Sequence, residues 1–297
     1  MEARPYRTGE GRVHGCRPHR TWSGDAADGI ESMESCIVDL RSQAVDLVTE
    51  LEDMTLRQGP IIKSEYQVKI GCWQIELLRA RLDLKIQKRR CEIVQQSLEE
   101  CGTVDLAGCL DQVLDETQDM QSELATSIDG YLGALEYRST LHEMSDDELN
   151  HVRSLFRKLV ARFHPHLHPD DGWSSRIFSV ARNAYRDGDA EALESIEVAT
   201  RSFPAYDEEP ADGLSEDELE IELVARDAQV TVLDTLVKAL GKAKPHSYRT
   251  LLEDQRQVER EVDAIRTQID ACEDTARTYS RHLQTMLERN GYGEHPR

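Results

Sequence analysis

Aromatic side chains are scarce, at 5% of this 297-residue chain, against 31% charged residues. That balance excludes a thick globular core and fits long solvated helices. No apolar run approaches the ~18–20 residues needed to span a bilayer, so no membrane partner is expected. No stretch alternates like a strand and no Gly-rich loop is present. Phosphate loops, dinucleotide fingerprints and nucleophile elbows need strand–turn–helix settings, so they are excluded and neither an enzyme nor a cofactor is expected. Seven cysteines are scattered without a C-x-x-C pair. An odd number with no framework reads as reduced thiols and a cytoplasmic location. Positive charge is short as well. The net charge of -21 argues against general binding to nucleic acid, because a phosphate backbone would be repelled.

What is present is helical periodicity, and the fold class expected is all-α. Residues 1–32 carry Gly, Arg, His and Pro without apolar spacing and are expected to be disordered. In residues 33–140 the apolar positions step by three and four. Ile37, Leu40, Ala44, Leu47, Leu51 and Met54 form one run, which Gly59-Pro60 is expected to break. A second run, with Tyr66, Ile70, Trp73, Leu77, Ala80 and Leu84, ends at Gly102. A third is expected from Val104 to Tyr137 as one helix. Two stripes on the second helix predict a bundle or a homo-oligomer. Residues 201–214 read as an acidic linker, residues 215–290 as a C-terminal helical hairpin, and residues 291–297 as a fraying tail.

Residues 141–200 are different. Ser145-Asp146-Asp147-Glu148 is a capping box, in which serine and glutamate satisfy each other's backbone N–H groups. Leu149, Val152, Phe156, Leu159 and Phe163 then recur at helical spacing. The other face carries Arg153, Arg157, Lys158 and Arg162, with no acid anywhere in 149–167. Pro165 and Pro169 stop the helix. A second helix is expected from about Ser174, with Ile177, Phe178, Ala181, Ala184 and Tyr185 on its apolar face. His164, His166 and His168 invite a metal reading, but the intervening prolines and the absence of a cysteine pair argue against one, and no metal is expected.

The basic helix 155–163, the loop His164-Pro165-His166 and the later Ala181-Arg182-Asn183-Ala184-Tyr185 resemble a J-domain, the module through which J-domain co-chaperones act on DnaK-type heat-shock chaperones. The resemblance covers about residues 145–197. It implies a helical hairpin flanked by coiled-coil arms. It also implies a docking face made by Arg153, Arg157, Lys158, Arg162, His164, Pro165, His166 and Asp170, with a DnaK-type chaperone as partner. Client proteins held by the coiled coils are a further expectation. His166 stands where the family has aspartate. Histidine cannot supply that anionic acceptor, so ATPase stimulation is expected to be weak or lost. His168-Pro169-Asp170 is an alternative frame for the tripeptide. The competing expectation is a coiled-coil scaffold that keeps the J-like hairpin only as a packing unit.

Overall fold

A computed structural model describes residues 26–140, 144–169 and 172–292. Among them the architecture is all-α, with no strand. In chain order the helices are α1 (Ala26–Asp53), α2 (Gly59–Tyr66), α3 (Cys72–Cys101), α4 (Leu106–Glu116), α5 (Gln118–Thr140), α6 (Asp146–Phe163), α7 (Gly172–Asp187), α8 (Ala190–Thr200), α9 (Glu216–Lys242), α10 (Arg249–Glu253) and α11 (Gln255–Arg289).

Gly59-Pro60 does not break the helix. Wide π turns at Met54–Gln58 and Gln67–Gly71 flank α2, and Gly59 N–H bonds Met54 O. A π turn inside a helix accommodates the local disruption that a proline causes. The third helix expected from Val104 to Tyr137 is two. Thr117 separates α4 from α5, its fully buried hydroxyl bonding Val113 O at 2.8 Å.

The chain forms two units, and neither is contiguous in sequence. Of the described residues, one comprises 26–61, 144–169 and 172–247, the other 62–140 and 248–292. The expected C-terminal hairpin is therefore not the pairing found: α9 packs on α1, and α11 packs on α3.

In the first unit α1, α6, α7, α8 and α9 enclose one core. Val45 and Val48 of α1 meet Phe156 and Leu159 of α6, Tyr185 of α7 and Leu193 of α8, all fully buried. The segment expected as a linker is part of this core. Ala205, Tyr206 and Ala211 are buried. Tyr206 N–H donates to Ala161 O at 2.9 Å. Arg41 donates to Glu209 O at 2.8 Å, and Arg157 binds Asp207. Two of its acids, Asp207 and Glu209, stand against arginines of α6 and α1, and the Tyr206 ring is worth more buried than exposed.

In the second unit α3 and α11 pair along Ile70, Leu77, Val258 and Ile265, and further on along Cys91, Val94, Cys109 and Leu283. Arg266 lies 4.1 Å over the Trp73 ring, a cation–π contact on that seam. Cys72, Cys91, Cys101, Cys109 and Cys272 are free thiols, but Cys36 is disulfide-bonded, which corrects the expectation of seven reduced cysteines. No helix of the described residues is long and apolar enough to cross a membrane.

Candidate functional site

The α6–α7 hairpin begins as its sequence dictates. Ser145 Oγ accepts Glu148 N–H at 3.3 Å, and the Glu148 carboxylate accepts Ser145 N–H at 2.8 Å. The apolar stripe of α6 then faces α7. Phe156 stacks on Tyr185 with ring centroids 4.0 Å apart, and lies 5.9 Å from Phe178. Phe163 does not share that stack. It meets Trp173 and Phe203 edge-on, at 6.2 and 5.8 Å.

At the end of α6 the backbone turns to extended geometry at His164. The His164 carbonyl accepts the N–H groups of Leu167 and His168, both at 2.9 Å, which closes the loop on itself. The His164 ring is buried edge-on against Phe178, at 4.6 Å. Its Nδ1 accepts His166 N–H at 3.1 Å. The proton of the neutral ring therefore sits on Nε2, which points to Glu52 Oε1 at 3.4 Å. The second oxygen of Glu52 accepts Arg182 Nε at 2.7 Å. One carboxylate of α1 thus joins the loop histidine to α7.

The electrostatics follow from burial. Burial pushes the His164 ring below its ordinary value, against the opposing pull of Glu52. Burial alone would raise the Glu52 carboxyl, but the hydrogen bonds and charges of His164 and Arg182 hold it below the usual range.

The other loop residues scatter. Pro165 and His166 are exposed. The His168 ring turns inward, donating from Nε2 to Ala161 O at 2.8 Å and lying edge-on to Tyr206. The His166 ring lies beside that of His164, at 5.0 Å, whereas His168 turns to Ala161 and Tyr206, so the three histidines do not converge on one point. Asp170 lies outside the described residues.

Nor do the four cations make one free face. Arg157 donates to Asp46 Oδ1 at 2.6 Å, to Asp207 Oδ2 at 3.0 Å and to Ser42 Oγ at 3.0 Å. Arg162 is nearly covered, with Glu197 at 3.7 Å. Arg153 is exposed and stands 3.9 Å from Asp53. Lys158 is exposed. Two of the four are therefore drawn into the fold by its own acids. Sequence reasoning missed Glu52, Asp46, Asp207 and Glu197. The signal available was the block 149–167, which holds cations and no acid. Such a block, once folded, draws counter-charges from elsewhere in an acidic chain.

No protein-family model matches the chain, and neither the curated proteins nor the solved structures give a match to it.

Proposed function

We propose that this chain is a helical interaction scaffold in which the α6–α7 hairpin is a packing unit rather than a chaperone-docking surface. The observation that carries the reading is Glu52. It takes up both the loop histidine and Arg182, while Asp46 and Asp207 take up Arg157. Groups already paired inside a fold would have to give up those partners to dock elsewhere, and the lost hydrogen bonds to charged groups are each worth about 1.5–3 kcal/mol. A cytoplasmic location goes with this proposal on the five free cysteines, and the Cys36 disulfide counts against it.

The second reading is a J-domain-like co-chaperone with weak or lost ATPase stimulation. It is favoured by the exposure of Arg153, Lys158, Pro165 and His166 on the same hairpin. An ATPase assay separates the two. The full chain is titrated into a DnaK-type chaperone, beside the His166→Asp variant. The scaffold reading expects no stimulation from either protein. Stimulation that rises on His166→Asp, and disappears on His164→Gln, overturns it in favour of the co-chaperone.

A further inference from the structure

We infer that the end of the hairpin farthest from its cap, where α6, α7 and α8 converge, is a binding site for an acidic peptide segment that carries aromatic side chains. The inference extends the scaffold reading by giving it a partner chemistry.

Three observations meet there. The first is Arg162. Its side chain is 9% exposed, and its Nε and Nη1 are shut off from solvent without a hydrogen bond. Glu197 is the carboxylate beside it, but at 3.7 Å it is beyond hydrogen-bond range, and Arg201 engages it at 2.9 Å. A guanidinium desolvated with only a distant ion pair and no hydrogen bond is unfavourable, and a carboxylate supplied from outside at Nη2, the one nitrogen not enclosed, would offset part of that cost.

The second is local charge. Lys158, Arg162 and Arg201 surround one carboxylate, Glu197. The hydrogen bond from Arg201 comes first in holding that carboxyl below the usual range, with the charges of Arg201, Arg162 and Lys158 adding to it against the effect of burial. Lys158 and Arg201 are exposed. Arg176, one turn along α7 from Trp173, is exposed too. The nearby Glu194 is held by His151 at 2.8 Å. In a chain of net charge -21, this is an excess of cations.

The third is aromatic. Trp173 and Phe203 lie 4.9 Å apart and rest on buried Phe163, yet they remain 49% and 39% exposed. Arg162 adjoins Phe163, and Arg201 is two residues from Phe203, a Cα separation of at most about 7 Å. Arg176, three residues from Trp173 on α7, and Arg201, two from Phe203, thus set an exposed cation next to each exposed ring. Arginine clusters recognise acidic motifs, and exposed rings recruit aromatic side chains. A single-stranded nucleic acid offers the same two chemistries. The acidic surface of the whole chain opposes it, since a polyanion is repelled over a longer range than a short peptide.

The test is fluorescence anisotropy on the full chain with three labelled dodecapeptides, (Glu-Glu-Phe)4, (Glu-Glu-Ser)4 and (Lys-Lys-Phe)4, and labelled dT12. The expected result is saturable binding of (Glu-Glu-Phe)4, with at least tenfold weaker binding of the other three. That binding should weaken tenfold or more on Arg201→Glu and on Trp173→Ser, with circular dichroism unchanged. Both side chains are exposed, so neither variant should unfold the hairpin. Trp173→Phe should recover most of the affinity. Equal binding of all peptides, no loss on Arg201→Glu, or tighter binding of dT12 would overturn the inference. Its failure is distinct from that of the scaffold reading. A chain that binds (Glu-Glu-Phe)4 and also stimulates the DnaK-type ATPase refutes the scaffold and leaves this site standing. A chain that does neither has the opposite consequence.

Discussion

The Tyr185 hydroxyl donates to Asp53 Oδ1 at 2.6 Å, joining α7 to the end of α1 across 132 positions of sequence. The ring is fully buried and Asp53 is 6% exposed. Gln58 Nε2 donates to the other carboxylate oxygen at 2.7 Å. Burial first, then the charge of Asp53, pushes the Tyr185 phenol well above its ordinary value, so it stays a donor at every physiological pH. Tyr185→Phe leaves a buried carboxylate oxygen short of a donor and should destabilise the first unit by about 1–3 kcal/mol. Combining it with Asp53→Asn should cost less than the sum of the two single changes, because the residues share one interaction. Urea denaturation of the four proteins in that cycle measures the coupling, and strict additivity would show that the bond contributes nothing.

Stability should fall on acidification, beginning near pH 6.5. Burial depresses the His164 pKa below its ordinary value of 6.5, so the folded protein favours the neutral ring. The unfolded chain takes up the proton first as pH drops. The contribution is complete above about pH 6.5 and is lost as pH falls toward the folded value. Glu52, also depressed, adds a loss of the same sign that begins below its ordinary value of 4.5. Thermal midpoints of wild type and His164→Gln between pH 7.5 and pH 5 should converge as pH falls. Parallel curves would mean that His164 does not titrate this way.

The two phenylalanines of α6 should behave differently. Each ring is buried, and removing one should cost about 3–5 kcal/mol. Phe156 stacks on Tyr185 and Phe178, whereas Phe163 supports Trp173. Phe163→Ala should therefore alter tryptophan emission even in conditions where it remains folded, while Phe156→Ala should leave emission unchanged until the protein melts. Identical spectra for the two variants would contradict the division of the aromatic core.

Arg157 and Lys158 are sequence neighbours with opposite expectations. Arg157 has three partners on two other segments, and its side chain is 33% exposed, so solvent weakens each bond. Arg157→Ala should still destabilise by about 1–2 kcal/mol, against less than about 0.5 kcal/mol for Lys158→Ala. Equal effects in chemical denaturation would return Arg157 to the role of a free surface cation.

Gly59→Ala should destabilise, although alanine is the better helix former by about 1 kcal/mol. A Cβ at this position would stand 2.9 Å from Met54 O, with His246 Nε2 at 3.4 Å behind it. The backbone carbonyl cannot yield as a flexible side chain would. An increase in the midpoint of urea unfolding would show that the π turn relaxes to admit the methyl group.

Helices and their starts were legible in the sequence because they depend on neighbours three and four residues away. The capping box at Ser145, the apolar stripe of α6 and the stop at His164-Pro165 are all local. So was the buried face of α7, where Phe178, Ala181, Ala184 and Tyr185 recur at helical spacing. Local rules failed where tertiary contact outweighed propensity. Pro60 stays helical beside its π turn, and Thr117 divides α4 from α5 although nothing there breaks a helix by composition. Pairing could not be read at all. Every long helix offers an apolar stripe, so periodicity does not say that α9 chooses α1 and α11 chooses α3. Nor does it say which of 57 acids will meet a given arginine. Glu52 lies 112 positions from His164, and only the packing of α1 against the hairpin turns a basic helix and a histidine loop inward onto acids of the same chain.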